Sequence, residues 1–316
     1  MKRILITGAN GQIGSELTLA LRERYGSDAV LATDIKEPPA ELRESGPFEV
    51  LDCTDCSNIR NVIEAFKPDT IYHLAALLSA VAEEKPQAAW NVNIQGLFHV
   101  LEAAREYNCA VFTPSSIGAF GPSTPKDATP QDTIQRPNTM YGVTKVAGEI
   151  LCDYYYKRFG VDTRGVRYPG IISHKTLPGG GTTDYAVEIY YEAIRQKRYT
   201  SYIAKGTFMD MMYMPDALKA AIDVMEADGD KLVHRNAFNV TAMSFAPEHI
   251  AKEIRKHIPE FEMSYEVDPV RQSIADSWPN TLDDSAARQE WGWSPEFTLQ
   301  TMTEDMLKEL DRKLSK

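Results

Sequence analysis

Through the first 172 residues, short apolar β-rich runs alternate with helix-length amphipathic segments, and this alternation limits the fold more than any other feature. The runs are RILITG, AVLATD, FEVLD, TIYHLAA, CAVFTPSS and DTRGVRYPGII, and the segments between them include 13–25, 56–66, 87–107 and 139–159. Strands that are apolar almost throughout must be covered on both faces, and each parallel pair needs a helical crossover. The pattern predicts an α/β fold built on a doubly wound parallel sheet. Past residue 172 the rhythm breaks into LPGGGTTD, a helix over 184–197, the segment FMDMMYMPDALKAAIDVME with a helix from about Pro215, then short strands and a helix over 246–257. Residues 1–172 plus about 211–240 are expected to form the nucleotide-binding domain, and 173–210 plus 241–316 a smaller, discontinuous α/β substrate-binding lobe.

TGANGQIG sets Gly8, Gly11 and Gly14 at the turn from the first strand into the first helix. Backbone N–H groups and a helix N-terminus there can approach a pyrophosphate that any Cβ would hold away. The spacing is GxxGxxG, and a glycine triplet alone is also an ordinary turn. Its weight comes from the strand before it and from Asp34, which ends the second strand. A carboxylate at that point accepts both ribose hydroxyls of NAD and repels the 2′-phosphate of NADP, so a Rossmann domain with NAD as cofactor is expected, Lys36 only softening the repulsion. Asp52 and the HLAA of 73–76 follow the third and fourth strands, at the edge where open sheets bind ligands. Asp52 is assigned to the adenine edge, and Leu74, Ala75 and Ala76 to the cofactor backbone. His73 reads as a packed strand-end histidine, since no Asp or Ser accompanies it at a recognisable spacing.

With 34 basic against 45 acidic residues the net charge is −11, which repels nucleic acid and anionic membrane surfaces. No stretch reaches the roughly 20 apolar residues of a membrane span, and MKRILITG is too short in apolar residues for a signal peptide. Four scattered cysteines make no disulfide framework, so a reducing cytoplasm is expected. Cys53 and Cys56 form a CxxC without a second CxxC or a histidine pair, and no metal is expected.

YGVTKVAGEILCDYYYKRFG puts Lys145 four residues after Tyr141, so both side chains share one helix face. A free phenol, titrating near about 10, is a poor base at neutral pH, and a neighbouring cation stabilises its ionised form. Ser115 and Ser116 lie at the end of the fifth strand, on the same edge of the sheet. With these motifs, and with HLAA, Asn93 in NVNIQGLFHVLEAA, SSIGAFG and RYPGII, the chain resembles the extended short-chain dehydrogenase/reductases over nearly its whole length. The resemblance implies that Ser116 polarises the substrate oxygen, Tyr141 exchanges its proton, and Lys145 tunes the tyrosine and holds the nicotinamide ribose. It extends the cofactor set to Asn10, Gln12, Ile13, Cys53 and Asn93, with Tyr168, Pro169 and Ile171 facing the nicotinamide. Spacing to Tyr141 selects Ser116 as the catalytic hydroxyl, with Ser115 as a substrate contact. The helices over 87–107 and 139–159 resemble the family's dimer-forming pair, which implies a homodimer.

In the nucleotide-sugar relatives a basic residue contacts the diphosphate, where this chain reads FMDMMYMPD with Met209 at the arginine position. The order of LAALLSA, PSSIGAFGP, PGGGTTDYAVEIY, FMDMMYMPD and SIADSWP is similar to that in the short-chain type of L-threonine 3-dehydrogenases. That likeness implies a small amino-acid substrate, oxidised to 2-amino-3-oxobutyrate, with Ser79, Thr182 and Thr183 on its amino and carboxylate groups and Trp278 closing over the site. N–H groups of Gly180 and Gly181 are a further candidate carboxylate nest. Two other readings stay open, a nucleotide-sugar epimerase or dehydratase with bound NAD and a non-catalytic NAD-sensing regulator.

Overall fold

The computed structural model describes residues 1–176 and 181–315. The first part runs β1 (Ile4–Thr7), α1 (Gln12–Tyr25), β2 (Val30–Asp34), α2 (Ala40–Glu44), β3 (Phe48–Val50), α3 (Cys56–Phe66), β4 (Thr70–His73), α4 (Ser79–Glu84), α5 (Pro86–Trp90), a π-helical turn (Asn91–Gln95), α6 (Gly96–Tyr107), β5 (Ala110–Phe112), β6 (Ser115–Ser116) and α7 (Met140–Phe159). It continues through β7 (Thr163–Arg164), β8 (Val166–Tyr168) and β9 (Gly170–Ile172). The remainder is α8 (Tyr185–Gln196), β10 (Arg198–Ser201), β11 (Met209–Tyr213), α9 (Met214–Glu226), β12 (Phe238–Asn239), β13 (Met243–Phe245), α10 (Pro247–Arg255), β14 (Glu262–Tyr265), α11 (Pro269–Ala275), α12 (Ser285–Trp291) and α13 (Leu299–Leu314).

Six parallel strands form the central sheet in the order β3-β2-β1-β4-β5-β7, the Rossmann arrangement expected from the alternation. Side chains alternate across it with the two-residue period of a strand. Ile4, Ile6, Val30, Ala32, Tyr72 and Phe112 enter one core with α1, α9 and Trp293. Leu5, Leu31, Ile71 and Val111 enter another with α3, α6 and α7. A third core gathers Tyr185, Ile189 and Tyr190 of α8, Met209 and Met211 of β11, Ile250 and Ile254 of α10 and Met306 of α13.

Two expected elements divide. The helix predicted over 87–107 is α5, a π-helical turn and α6, preceded by α4. The single strand predicted for DTRGVRYPGII becomes three, each in a different sheet: β7 pairs with β5, β8 lies between β6 and β12, and β9 pairs with β11. The breaks fall at Gly165, where a Cβ would lie 2.4 Å from the Thr113 carbonyl oxygen, and at Pro169, which has no N–H for a ladder. Pro114 separates β5 from β6 in the same way, and these departures carry Ser116 away from the central sheet and toward α7.

Candidate active site

At the point where strand order reverses, between β1 and β4, the glycine loop meets the backbone after β4. Gly8 has φ +74°, and a Cβ there would stand 2.6 Å from the Ala75 nitrogen. A Cβ on Gly14 would stand 2.2 Å from the Gly8 carbonyl oxygen. Both glycines are therefore required by contact, and Gly8 by conformation as well. Gly11 precedes α1 as a cap with no side chain, and Gln12 and Ile13 open the helix, whose first N–H groups have no intrahelical acceptor. Asp34 closes the loop from the side: its Oδ2 accepts the Asn10 N–H at 3.0 Å, while the Asn10 amide donates to the Lys36 carbonyl at 2.8 Å. A backbone cradle that any side chain would fill, at a helix N-terminus beside a carboxylate, fits an adenine dinucleotide.

The catalytic candidates converge around Gly118. A Cβ built there would lie 3.2 Å from two ring carbons of Tyr141 and 3.5 Å from Ser116 Oγ. One on Gly142 would lie 2.3 Å from the Gly118 oxygen, so the first turn of α7 packs backbone to backbone on the turn after β6. Thr139 caps that helix by accepting the Gly142 N–H at 3.1 Å. Ser116 Oγ accepts the Gly118 N–H at 3.1 Å, which leaves its own O–H free to donate to a substrate oxygen. Lys145 Nζ stands 5.3 Å from the centre of the Tyr141 ring and donates to the Pro114 carbonyl at 2.7 Å. Tyrosine and lysine thus face one small volume, as their helical spacing predicted.

The family model for NAD-dependent epimerases and dehydratases matches residues 4–241. The chain belongs to the NAD-dependent epimerase/dehydratase family. It is 62% identical over 314 residues to an uncharacterised epimerase/dehydratase of Staphylococcus haemolyticus, covering 99% of each chain. Among solved structures it is similar to an L-threonine dehydrogenase from Clostridium difficile, with TM-score 0.98, 62% identity and coverage of 99% of this chain and 98% of that one. It is also similar to a GalE-like L-threonine dehydrogenase from Cupriavidus necator in its holo form, with TM-score 0.95, 49% identity and coverage of 98% and 99%. The protein is an NAD-dependent oxidoreductase of this family. No helix among the described residues is long and apolar enough to cross a membrane.

As a family member its remaining candidate residues divide into those near the site and those held elsewhere. Ser79 opens α4, and Glu83, one turn further on, accepts the Met140 N–H at 2.5 Å, so that face of α4 lies against the start of α7. Thr183 packs on Gly170 beside Ile171, and Thr182 is buried next to it. The Gly181 N–H donates to Asp184 at 2.7 Å, so it is committed within its own turn, and Gly180 lies outside the described residues.

Several other assigned side chains are held by partners within the protein. Ser115 is buried with its hydroxyl donating to Glu149, so it faces a buried ion pair and not the Tyr141 side. Asn93 is fully used by the protein: its Oδ1 accepts the Leu77 N–H at 2.7 Å, and its amide donates to the Leu77 carbonyl and to Thr144 Oγ1. Tyr168 buries its ring against α9 and donates to the Ala217 carbonyl at 2.6 Å. Trp278 is 9% exposed and packs within the third core. Asp52 accepts Thr54 Oγ1 at 2.7 Å in its own turn. The Cys53 thiol, packed on Gly96, is pushed up to about 11 by burial and by Asp52, which opposes a thiolate.

His73 is a strand-end histidine as expected, with Nδ1 2.8 Å from Thr7 Oγ1; burial, aided by Lys145, lowers its pKa to about 3. Sequence reading missed the Glu149–Arg167 pair. Arg167 Nη2 stands 2.9 Å from Glu149 Oε2 and Nε 3.0 Å from Oε1, with Gln135 donating to the same carboxylate at 2.8 Å. The signal was a guanidinium between Val166 and Tyr168 at the start of an apolar run, where it must find a buried partner.

Proposed function

We propose that the protein oxidises L-threonine at its 3-hydroxyl, giving 2-amino-3-oxobutyrate, NADH and a proton, and that it works as a cytoplasmic homodimer. The observation that carries this reading is the packing of Tyr141 and Ser116 against Gly118, with the Lys145 cation 5.3 Å from the centre of the Tyr141 ring. The likeness to L-threonine dehydrogenases supports the choice of substrate. Tyr141 oxygen takes the hydroxyl proton, and Ser116 donates to the oxygen as negative charge builds on it. Lys145, fixed on the Pro114 carbonyl, stabilises the negative charge of the tyrosine oxygen from one side of its ring. NAD, when bound, would supply the hydride acceptor for C3. The glycine loop and Asp34 hold it, and Ser79, Thr182 and Thr183 orient the amino acid. In this reading the third core carries the substrate lobe. Trp90, Phe98, Val143, Ile150 and Tyr154 expose apolar surface on α5, α6 and α7, which supports a second copy as their cover.

Spectrophotometric assay of NAD reduction with L-threonine, L-serine, 3-hydroxybutyrate and UDP-galactose tests the substrate. Tyr141→Phe should abolish threonine oxidation and leave NAD affinity largely intact. A Phe variant with near-normal turnover would falsify the proton role. The family description and the Staphylococcus haemolyticus relative favour one second reading, an epimerase or dehydratase, which requires conversion of a nucleotide sugar without net NADH.

A further inference from the structure

A cavity lies behind Lys145, between the ends of β4 and β5 and the inner face of α7, lined among others by His73, Asn93, Lys145, Glu149, Cys152 and Asn236. Its room for water centres is about 30 Å³. One water needs roughly 10–15 Å³ of such room, so the cavity holds about two. Two of its lining residues carry a polar atom that is buried without a hydrogen-bond partner, His73 Nε2 and Asn236 Oδ1. Each such atom costs about 1–3 kcal/mol if left unpaired. The far ends of both side chains are fixed, which aims these atoms: His73 Nδ1 on Thr7, and the Asn236 amide nitrogen on Asp153 Oδ1 at 2.9 Å and Thr163 Oγ1 at 3.0 Å. The capacity for two waters thus matches two unmet polar atoms.

We propose that this cavity is a two-water site, in which the water bound to His73 Nε2 also accepts a hydrogen bond from Lys145, making His73 a positioning residue for the ammonium. The functional half of the proposal rests on the role of Lys145 given above; the water site does not. Of the ionisable groups that line the cavity, Glu149 is closed by Arg167 and the Cys152 thiol is pushed up by burial, so neither supplies a free charge there. Burial likewise keeps the His73 imidazole neutral. Lys145 is therefore solvated from behind by neutral groups. A carboxylate in that place would cancel the cation that Tyr141 needs, whereas water and a neutral imidazole stabilise it without cancelling it.

Two experiments separate the site from its role. A high-resolution crystal structure of the full chain with NAD should show two waters, one within about 3.2 Å of His73 Nε2 and one equally close to Asn236 Oδ1. An empty cavity overturns the proposal whatever the substrate. In solution, His73→Leu should move the acid limb of the kcat/KM profile for L-threonine upward by at least about 0.5 pH and lower kcat about 5-fold or more. NAD affinity should stay within about 2-fold of the parent, and His73→Gln, which keeps a polar end, should recover part of the shift. A His73→Leu profile that superimposes on the parent's, or a loss of kcat with no pH displacement, refutes the positioning role. Waters seen in a protein that does not oxidise threonine refute the substrate reading and support the water site.

Discussion

Replacing Arg167 by methionine isolates a buried interaction that ties α7, which bears Tyr141 and Lys145, to β8, the neighbour of the Ser116 strand β6. Arg167 of β8 engages both oxygens of Glu149 on α7 at 2.9 and 3.0 Å, and the side chains are 7% and 8% exposed. At 2.9 Å and an effective dielectric constant of about 20, the attraction is roughly 6 kcal/mol. Removing both charges from water costs several kcal/mol per ion, so the intact pair nearly breaks even against a well-packed apolar pair. Cutting one partner is different. Arg167→Met leaves a buried carboxylate with only the Ser115 and Gln135 donors, and also removes the bonds to the Gln131 carbonyl and Asn239 Oδ1. The expected loss is about 3–5 kcal/mol of a total of about 5–15. Ser115→Ala, which removes one neutral donor from the same carboxylate, should lose only about 1–2 kcal/mol. Urea unfolding at fixed protein concentration measures each, and the double variant Arg167→Met/Glu149→Leu should recover most of the single loss. Because β6 bears Ser116 and α7 bears Tyr141 and Lys145, kcat should fall more than the affinity for NAD. An Arg167→Met protein within about 1 kcal/mol of the parent, or a double variant no better than the single, would refute the reasoning.

Gly8→Ala adds a Cβ 2.6 Å from the Ala75 nitrogen at φ +74°, so NAD binding by calorimetry should be lost and thermal stability should drop, the strain alone being on the order of 1–3 kcal/mol. Asp210, buried between Thr241 Oγ1 and the Leu282 N–H, has its pKa raised to about 7 because burial penalises the carboxylate. Since the folded value lies above the unfolded one, its contribution is fully present below about pH 4 and declines as pH rises through about 7, by up to about 4 kcal/mol. Unfolding of the parent and of Asp210→Asn, compared between about pH 5 and pH 8, should show that decline in the parent alone. Ile150→Glu, on the exposed apolar stripe of α7, should shift a homodimer to monomer in analytical ultracentrifugation without unfolding the chain.

The first strand, the glycine loop and Asp34 were legible because each answers to a local rule: period-2 burial, a turn that excludes Cβ atoms, and a carboxylate at a strand end. The Tyr141/Lys145 face was legible because helix geometry alone brings residues four apart together. Helices α1, α3 and α7 stand within a residue of their expected bounds for the same reason. Where side chains point when several elements compete for them was not legible. Ser115 and Ser116 are neighbours in the chain, yet strand alternation sends one to Glu149 and the other to Gly118. Tyr168, Asn93 and Trp278 sit in suggestive motifs, but packing claims their polar or aromatic ends.

By itself, then, the sequence determined a doubly wound sheet, a cradle for a dinucleotide and a phenol with a cation one turn away, since all three follow from contacts between residues near in the chain or from backbone sterics. Tertiary structure decided that Ser115 turns away to Glu149, that Glu149 and Arg167 meet, and that His73 and Asn236 border one cavity. Those outcomes depend on how β6, β8 and α7 pack after the chain leaves the central sheet at Pro114 and Gly165, and no spacing along the chain encodes that packing.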